Sequence, residues 1–118
     1  MSRGPRPHRA LKAAIPVAWQ RGRIQMAEYG PESLYDFTIV SALPVAFIRV
    51  KFAARILLSL AEVAAYFTDA ITGLKTITND AAISRELWLC SKHGTLRFFR
   101  IIADGIVELG RDGKPVAG

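Results

Sequence analysis

Two stretches decide the fold: Tyr35-Asp36-Phe37-Thr38-Ile39-Val40-Ser41 and, beyond a connection marked by Pro44, Val45-Ala46-Phe47-Ile48-Arg49-Val50-Lys51-Phe52. Both are rich in β-branched and aromatic residues, which suit a pleated, half-buried surface. Strand side chains point alternately to opposite faces. Phe37 and Ile39 therefore share one face of the first strand, and Asp36, Thr38 and Val40 the other. In the second strand Ala46, Ile48, Val50 and Phe52 share a face, with Phe47, Arg49 and Lys51 opposite. Paired as a hairpin, the two strands bring Asp36, Thr38, Arg49 and Lys51 together.

Upstream, Leu11, Ile15, Ala18 and Trp19 recur at helical spacing between His8 and Gln20. Pro16 is expected to kink or restart that helix, and Gly22 to end it. Arg23 to Glu28 alternates as a short strand, and Gly30-Pro31 turns. Residues 53–58 fit either a prolonged strand or the start of a helix. Downstream, Ser59 and Glu62 have the spacing of a capping box, in which a hydroxyl and a carboxylate satisfy orphan amides at a helix start. The helix is expected to run through Leu60, Val63, Phe67 and Ile71 and to end at Gly73.

Residues 75–84 read as a loop turning at Asn79-Asp80. Glu86–Ser91 and Leu96–Ile102 read as a hairpin about Lys92-His93-Gly94, where Gly94 can take positive φ. Ile106–Leu109 reads as a last short strand. Helix, three strands, helix, then two or three strands imply an α/β domain. A mixed sheet of about five strands with two main helices, three-layer-like, is the expected architecture. The divisions are a flexible basic arm at 1–7, one domain at 8–109 and a loose tail at 110–118.

The chain has 118 residues, 51% of them hydrophobic, and so can fill a single core. One cysteine, Cys90, excludes an internal disulfide and suits a reducing, cytoplasmic setting. Two histidines and one cysteine exclude the usual Cys/His zinc sites. The longest uncharged run, Phe37 to Ile48, has 12 residues, short of the roughly 20 that span a bilayer. No membrane partner is expected. The basic N-terminus precedes a weak apolar patch near Ile15 but lacks a small-residue cleavage pattern, which argues against a targeting peptide.

The net charge is +6, and all of it resides in residues 1–27, which hold Arg3, Arg6, Arg9, Lys12, Arg21 and Arg23 without an acid. Such a segment suits phosphate contact, and it equally suits a solubilising tail.

The hairpin at residues 34–52 resembles the core of the PD-(D/E)XK nuclease superfamily, restriction-endonuclease-like proteins that include the archaeal Holliday junction resolvases. The stretch 34–40 looks like the strand that opens on a metal-binding Asp, here Asp36. The stretch 46–51 looks like the strand that carries an acid, a spacer and a catalytic Lys, here Lys51. The order of elements fits the family's αβββαββ core, and the resemblance covers roughly residues 8–92. The resemblance implies an Mg²⁺-dependent nuclease, nucleic acid as partner and a homodimer.

Arg49 stands where the family has its second acid. Mg²⁺ takes oxygen ligands in near-octahedral geometry, and a guanidinium offers no lone pair and repels the cation. A weak or inactive nuclease that still grips phosphates is therefore expected, with Arg49 able to fork onto a phosphate. Glu62 or Glu28 are the acids that could replace the missing ligand, but each has an ordinary reading, as a helix cap and a solvated edge residue. Asp36 with Lys51 or Arg49 is also simply a cross-strand ion pair.

In the second hairpin, Trp88, Phe98 and Phe99 read mainly as core, and Arg97 and Arg100 fall on opposite faces. Trp88 shares the face of Glu86, which offers it as an exposed anchor for a protein partner. That anchor supports a rival class, an assembly or regulatory module. His93 reads as a turn residue, and Ser59 has no histidine in reach for a hydrolase triad.

Overall fold

The computed structural model describes residues 7–28, 30 and 33–116. Arg3 and Arg6, and with them the expected arm except Pro7, lie outside the described residues. The element order is α1 (His8–Arg21), β1 (Ile24–Met26), β2 (Phe37–Ile39), β3 (Val45–Phe52), α2 (Leu60–Tyr66), α3 (Thr68–Lys75), β4 (Ile83–Cys90), β5 (Leu96–Ile102) and β6 (Gly105–Leu109). The strands form one six-stranded mixed sheet in the order β1-β2-β3-β4-β5-β6, where about five strands were expected. All neighbours are antiparallel except β3 and β4, which are parallel over Val45↔Ile83 to Phe52↔Cys90.

A parallel pair needs a crossover, and α2 with α3 supplies it. These helices bury Val63, Ile71 and Leu74 against Leu87, Leu89, Phe99 and Ile101 on one face of the sheet. The other face carries α1, whose Leu11, Ala14, Val17 and Ala18 meet Phe37, Ile48, Val50, Trp88 and Phe98. The layers are thus helix, sheet, helices, and the face parities follow the alternation of residues 45–52.

Several boundaries depart from expectation. Pro16 does not restart α1; it lies on the exposed side with Lys12, so the carbonyl it leaves without a backbone donor faces solvent. The Ser59–Glu62 capping box is present, with both reciprocal hydrogen bonds made. The helix it starts breaks at Phe67, where Thr68 Oγ1 bonds back to the carbonyls of Ala64 and Ala65. Gly73 lies inside α3, which runs on to Lys75. Residues 53–58 are neither strand nor helix. β4 starts at Ile83, three residues before the expected Glu86, because it pairs with the whole of β3.

The sheet has two unlike edges. β1 presents three residues. Beyond β6 the chain turns at residues 110–113 and returns, and Pro115 bridges to Leu109. Gly113 there has φ +82 and lies against the Arg21 guanidinium. No helix among the described residues is long and apolar enough to cross a membrane.

Candidate nucleic-acid interface

The register pairs Phe37 with Ile48 and Thr38 with Phe47. Extending it by one residue sets Asp36 opposite Arg49. The parity then puts Asp36, Arg49 and Lys51 on the α2–α3 side of the sheet, near the C-terminal end of β3. Their roles differ. Asp36 is buried, and its Oδ2 accepts the Val50 N–H at 2.7 Å. Its own N–H donates to the Ile48 carbonyl, so the residue completes the β2–β3 ladder. Arg49 is buried too, and donates from Nη1 to the carbonyls of Ser33 at 3.2 Å and Leu34 at 3.4 Å. Lys51 is partly exposed and lines a cavity with Phe52, Tyr66, Phe67 and Asp69. Neither Asp36 nor Arg49 lines that cavity.

This donor set does not fit Mg²⁺. One Asp36 oxygen is held by a backbone amide, and a guanidinium occupies the adjacent strand position. Glu62 is engaged at the start of α2, where it accepts the Ser59 N–H and lies 3.5 Å from Arg55. The backbone hydrogen bond from Ser59 holds its carboxyl below the ordinary value. Glu28 is exposed beyond β1. Among the described residues no group of three or more His, Cys, Asp or Glu is placed to hold a metal ion.

The expected phosphate-binding cations are dispersed. Arg9 and Lys12 are exposed near the start of α1, while Arg21 and Arg23 sit at its far end, about 20 Å away at 1.5 Å per residue. Arg23 is exposed beside Ser41, whose Oγ accepts its backbone N–H. Arg21 is not available to a phosphate. Its guanidinium forks onto Glu86 at 2.8 and 3.0 Å, and its side chain is 8% exposed. Glu86 is fully buried. It also accepts from Ser84 Oγ at 2.6 Å and Trp88 Nε1 at 3.0 Å, and Ser84 Oγ in turn accepts from Arg100 Nε.

Trp88 is therefore not an exposed anchor. It is fully buried under α1, edge-on to Phe37 and Phe98. The presence of Glu86 on its face suggested solvent, but that carboxylate is an internal one, matched by Arg21 from a helix distant in sequence.

Arginine is used inside this fold as a staple. Arg85 donates to the carbonyls of Lys75, Ile77 and Ile101, tying the end of α3 to the sheet. Arg97 forks onto Glu108 and also donates to the carbonyls of Ile56 and Leu58, which fixes the β3–α2 connection. The hydrogen bond between Arg97 and Glu108 raises the pKa of the former and lowers that of the latter. Cys90 is buried, and burial pushes its thiol pKa up, which disfavours the nucleophilic thiolate.

The end of the sheet bearing Lys51 is where exposed cations and rings gather. Phe52, the last residue of β3, is 53% exposed and lines three neighbouring cavities. One is the Lys51 cavity. Another lies on the α1 side and includes Arg9, Lys92 and His93. The parity of β3 made Phe52 visible in the sequence. The approach of Arg9 to Lys92 was not visible, because it depends on how α1 crosses the sheet. The class defined is a three-layer α/β protein with one parallel strand pair in a mixed sheet. No family model matches the chain, and no curated protein or solved structure matches it either.

Proposed function

We propose that this chain is a nucleic-acid-binding domain of nuclease-like αβββαββ architecture that grips phosphates without cutting them. The observation that carries the reading is the strand order. A helix, three antiparallel strands, a helical crossover and a parallel fourth strand bring Asp36, Arg49 and Lys51 to one side and one end of the sheet. Lys51 is the member of that set beside an open cavity. Arg9 and Lys12 add exposed positive charge from α1. Arg49 serves as a structural substitute for the second acid: it holds the loop at Ser33 and Leu34 in place instead of a cation.

The test is fluorescence anisotropy with a labelled duplex and a four-way junction at two salt concentrations. Binding is expected to weaken steeply with salt, because each phosphate contact releases counterions. Lys51→Ala is expected to lower the logarithmic salt slope on duplex by about 0.9. Absence of binding at low salt eliminates the reading. Mg²⁺-dependent cleavage abolished by Asp36→Ala or Glu62→Gln would establish the active nuclease instead.

A second reading, an assembly module or homodimer, is favoured by one feature. Leu57, Leu60 and Tyr66 are 85%, 45% and 63% exposed in and just before α2. Large apolar side chains left exposed close together in sequence are candidates for a protein contact. Sedimentation that gives a dimer, with no oligonucleotide binding, would favour it.

A further inference from the structure

We infer that the cleft between α1 and the β4–β5 turn holds a phosphate of single-stranded nucleic acid, with the neighbouring base stacked on Phe52. The inference rests on the nucleic-acid reading above and names the form of ligand that reading leaves open.

The cleft is lined by Arg9 and Ala10 from α1, Phe52 at the end of β3, and Ser91, Lys92 and His93 at the end of β4. None of its lining residues is an acid. Arg9, Lys92 and His93 are exposed, and no salt bridge among the described residues uses Arg9 or Lys92. This contrasts with Arg21, Arg85 and Arg97, whose guanidinium groups are occupied within the fold. The cations that remain at this end come from segments far apart in sequence.

The turn that carries Lys92 and His93 is rigidly built. Ser91 Oγ accepts from the N–H groups of His93 and Thr95, and Gly94 closes the turn with φ +84. Position is therefore fixed by the backbone, and the cationic side chains need order only on binding. The site also lies beyond the carboxyl ends of the two parallel strands, Phe52 and Cys90, with α1 on one face and the crossover helices on the other.

Size and shape select the ligand. The cleft is about 180 Å³. Sites for whole small molecules run from about 300 to 1,000 Å³, so this one suits a single group of a longer ligand. Phe52 forms its wall and also borders the cavity of Lys51 on the opposite side. A strand crossing Phe52 thus meets Arg9 and Lys92 on one side of the ring and the cavity that Lys51 and Asp69 line on the other. Cations beside an exposed aromatic ring match an unpaired strand, whose bases are free to stack. A duplex keeps its bases stacked internally and offers no face to the ring.

The full chain is titrated by anisotropy with a labelled thymidine oligonucleotide and with a duplex of equal length. Phe52→Ala is expected to weaken single-strand binding roughly tenfold, the loss of one stacked base, and to leave duplex binding nearly unchanged. The ring is half exposed, and equal melting temperatures verify that the variant folds. Arg9→Gln with Lys92→Gln is expected to reduce the single-strand salt slope by about 0.7, the loss of the one phosphate they hold between them. If these variants leave single-strand binding unchanged while Lys51→Ala still weakens duplex binding, the cleft is eliminated and the wider reading stands. Equal loss on both ligands, or equally tight binding of polyglutamate, also overturns the inference. No binding to either nucleic acid at low salt removes both.

Discussion

Glu86 has the most to lose from a single change. It is fully buried and accepts from two Arg21 nitrogens, Ser84 and Trp88. Removing one partner of a buried pair leaves an uncompensated charge and costs about 3–5 kcal/mol. Arg21→Ala and Glu86→Ala are each expected to lower urea-unfolding stability by that amount. Arg21→Met combined with Glu86→Leu is expected to cost far less than their sum, since it removes both charges together. The Arg97–Glu108 pair behaves differently, because both side chains reach solvent. The hydrogen bond from Arg97 keeps the Glu108 pKa below its ordinary value, so the pair stabilises the fold above the unfolded carboxyl pKa of about 4.3. That contribution disappears as pH falls through the lowered native value. Glu108→Gln should therefore cost about 1 kcal/mol at pH 7 and progressively less in acid. Melting curves that show an equal cost at pH 7 and pH 3 would exclude this account.

At the scale of elements, the start of α2 rests on the reciprocal bonds of Ser59 and Glu62. Ser59→Ala is expected to cost about 1 kcal/mol in chemical denaturation. This cap was legible in the sequence, as were the full extents of β3 and β5 and the alternation of their faces, because local spacing alone determines them. The break at Phe67 was not legible, since Leu60, Val63, Phe67 and Ile71 keep one helical period straight through it. Nor was the early start of β4. Ile83 to Arg85 carry no strong strand signal, and pairing with β3 across the crossover places them in the sheet. The fates of Trp88 and Arg21 were hidden for one shared reason. A carboxylate within a strand reads as a solvated residue until its partner, 65 positions away, is brought beside it.

For the whole molecule, the surplus of positive charge is a poor guide to where a polyanion would sit. Arg21, Arg49, Arg85, Arg97 and Arg100 each donate to carbonyls, hydroxyls or carboxylates within the fold. The charge left exposed is therefore narrower than the composition suggests, and Arg9, Lys12 and Lys92 are exposed members of it in or near the candidate interface. Gly113 fastens the end of the chain to this interior. It has positive φ, and a Cβ there would come within 2.6 Å of the Arg21 guanidinium. Gly113→Ala is expected to cost at least about 1 kcal/mol and to speed amide exchange across residues 110–116, read by mass spectrometry.

The returning segment at Pro115 also dictates how copies of this protein could meet. Proline has no amide hydrogen to offer an incoming strand, and it sits beside Leu109, the last residue of β6. At the opposite flank β1 offers a ladder of three residues. Joining two sheets into one continuous sheet is therefore hindered at the Leu109 end of β6 and limited to a three-residue ladder at β1. Self-association is therefore expected to use helix surfaces or the end of the sheet around Phe52, and a dimer formed there would cover the cleft lined by Arg9 and Lys92.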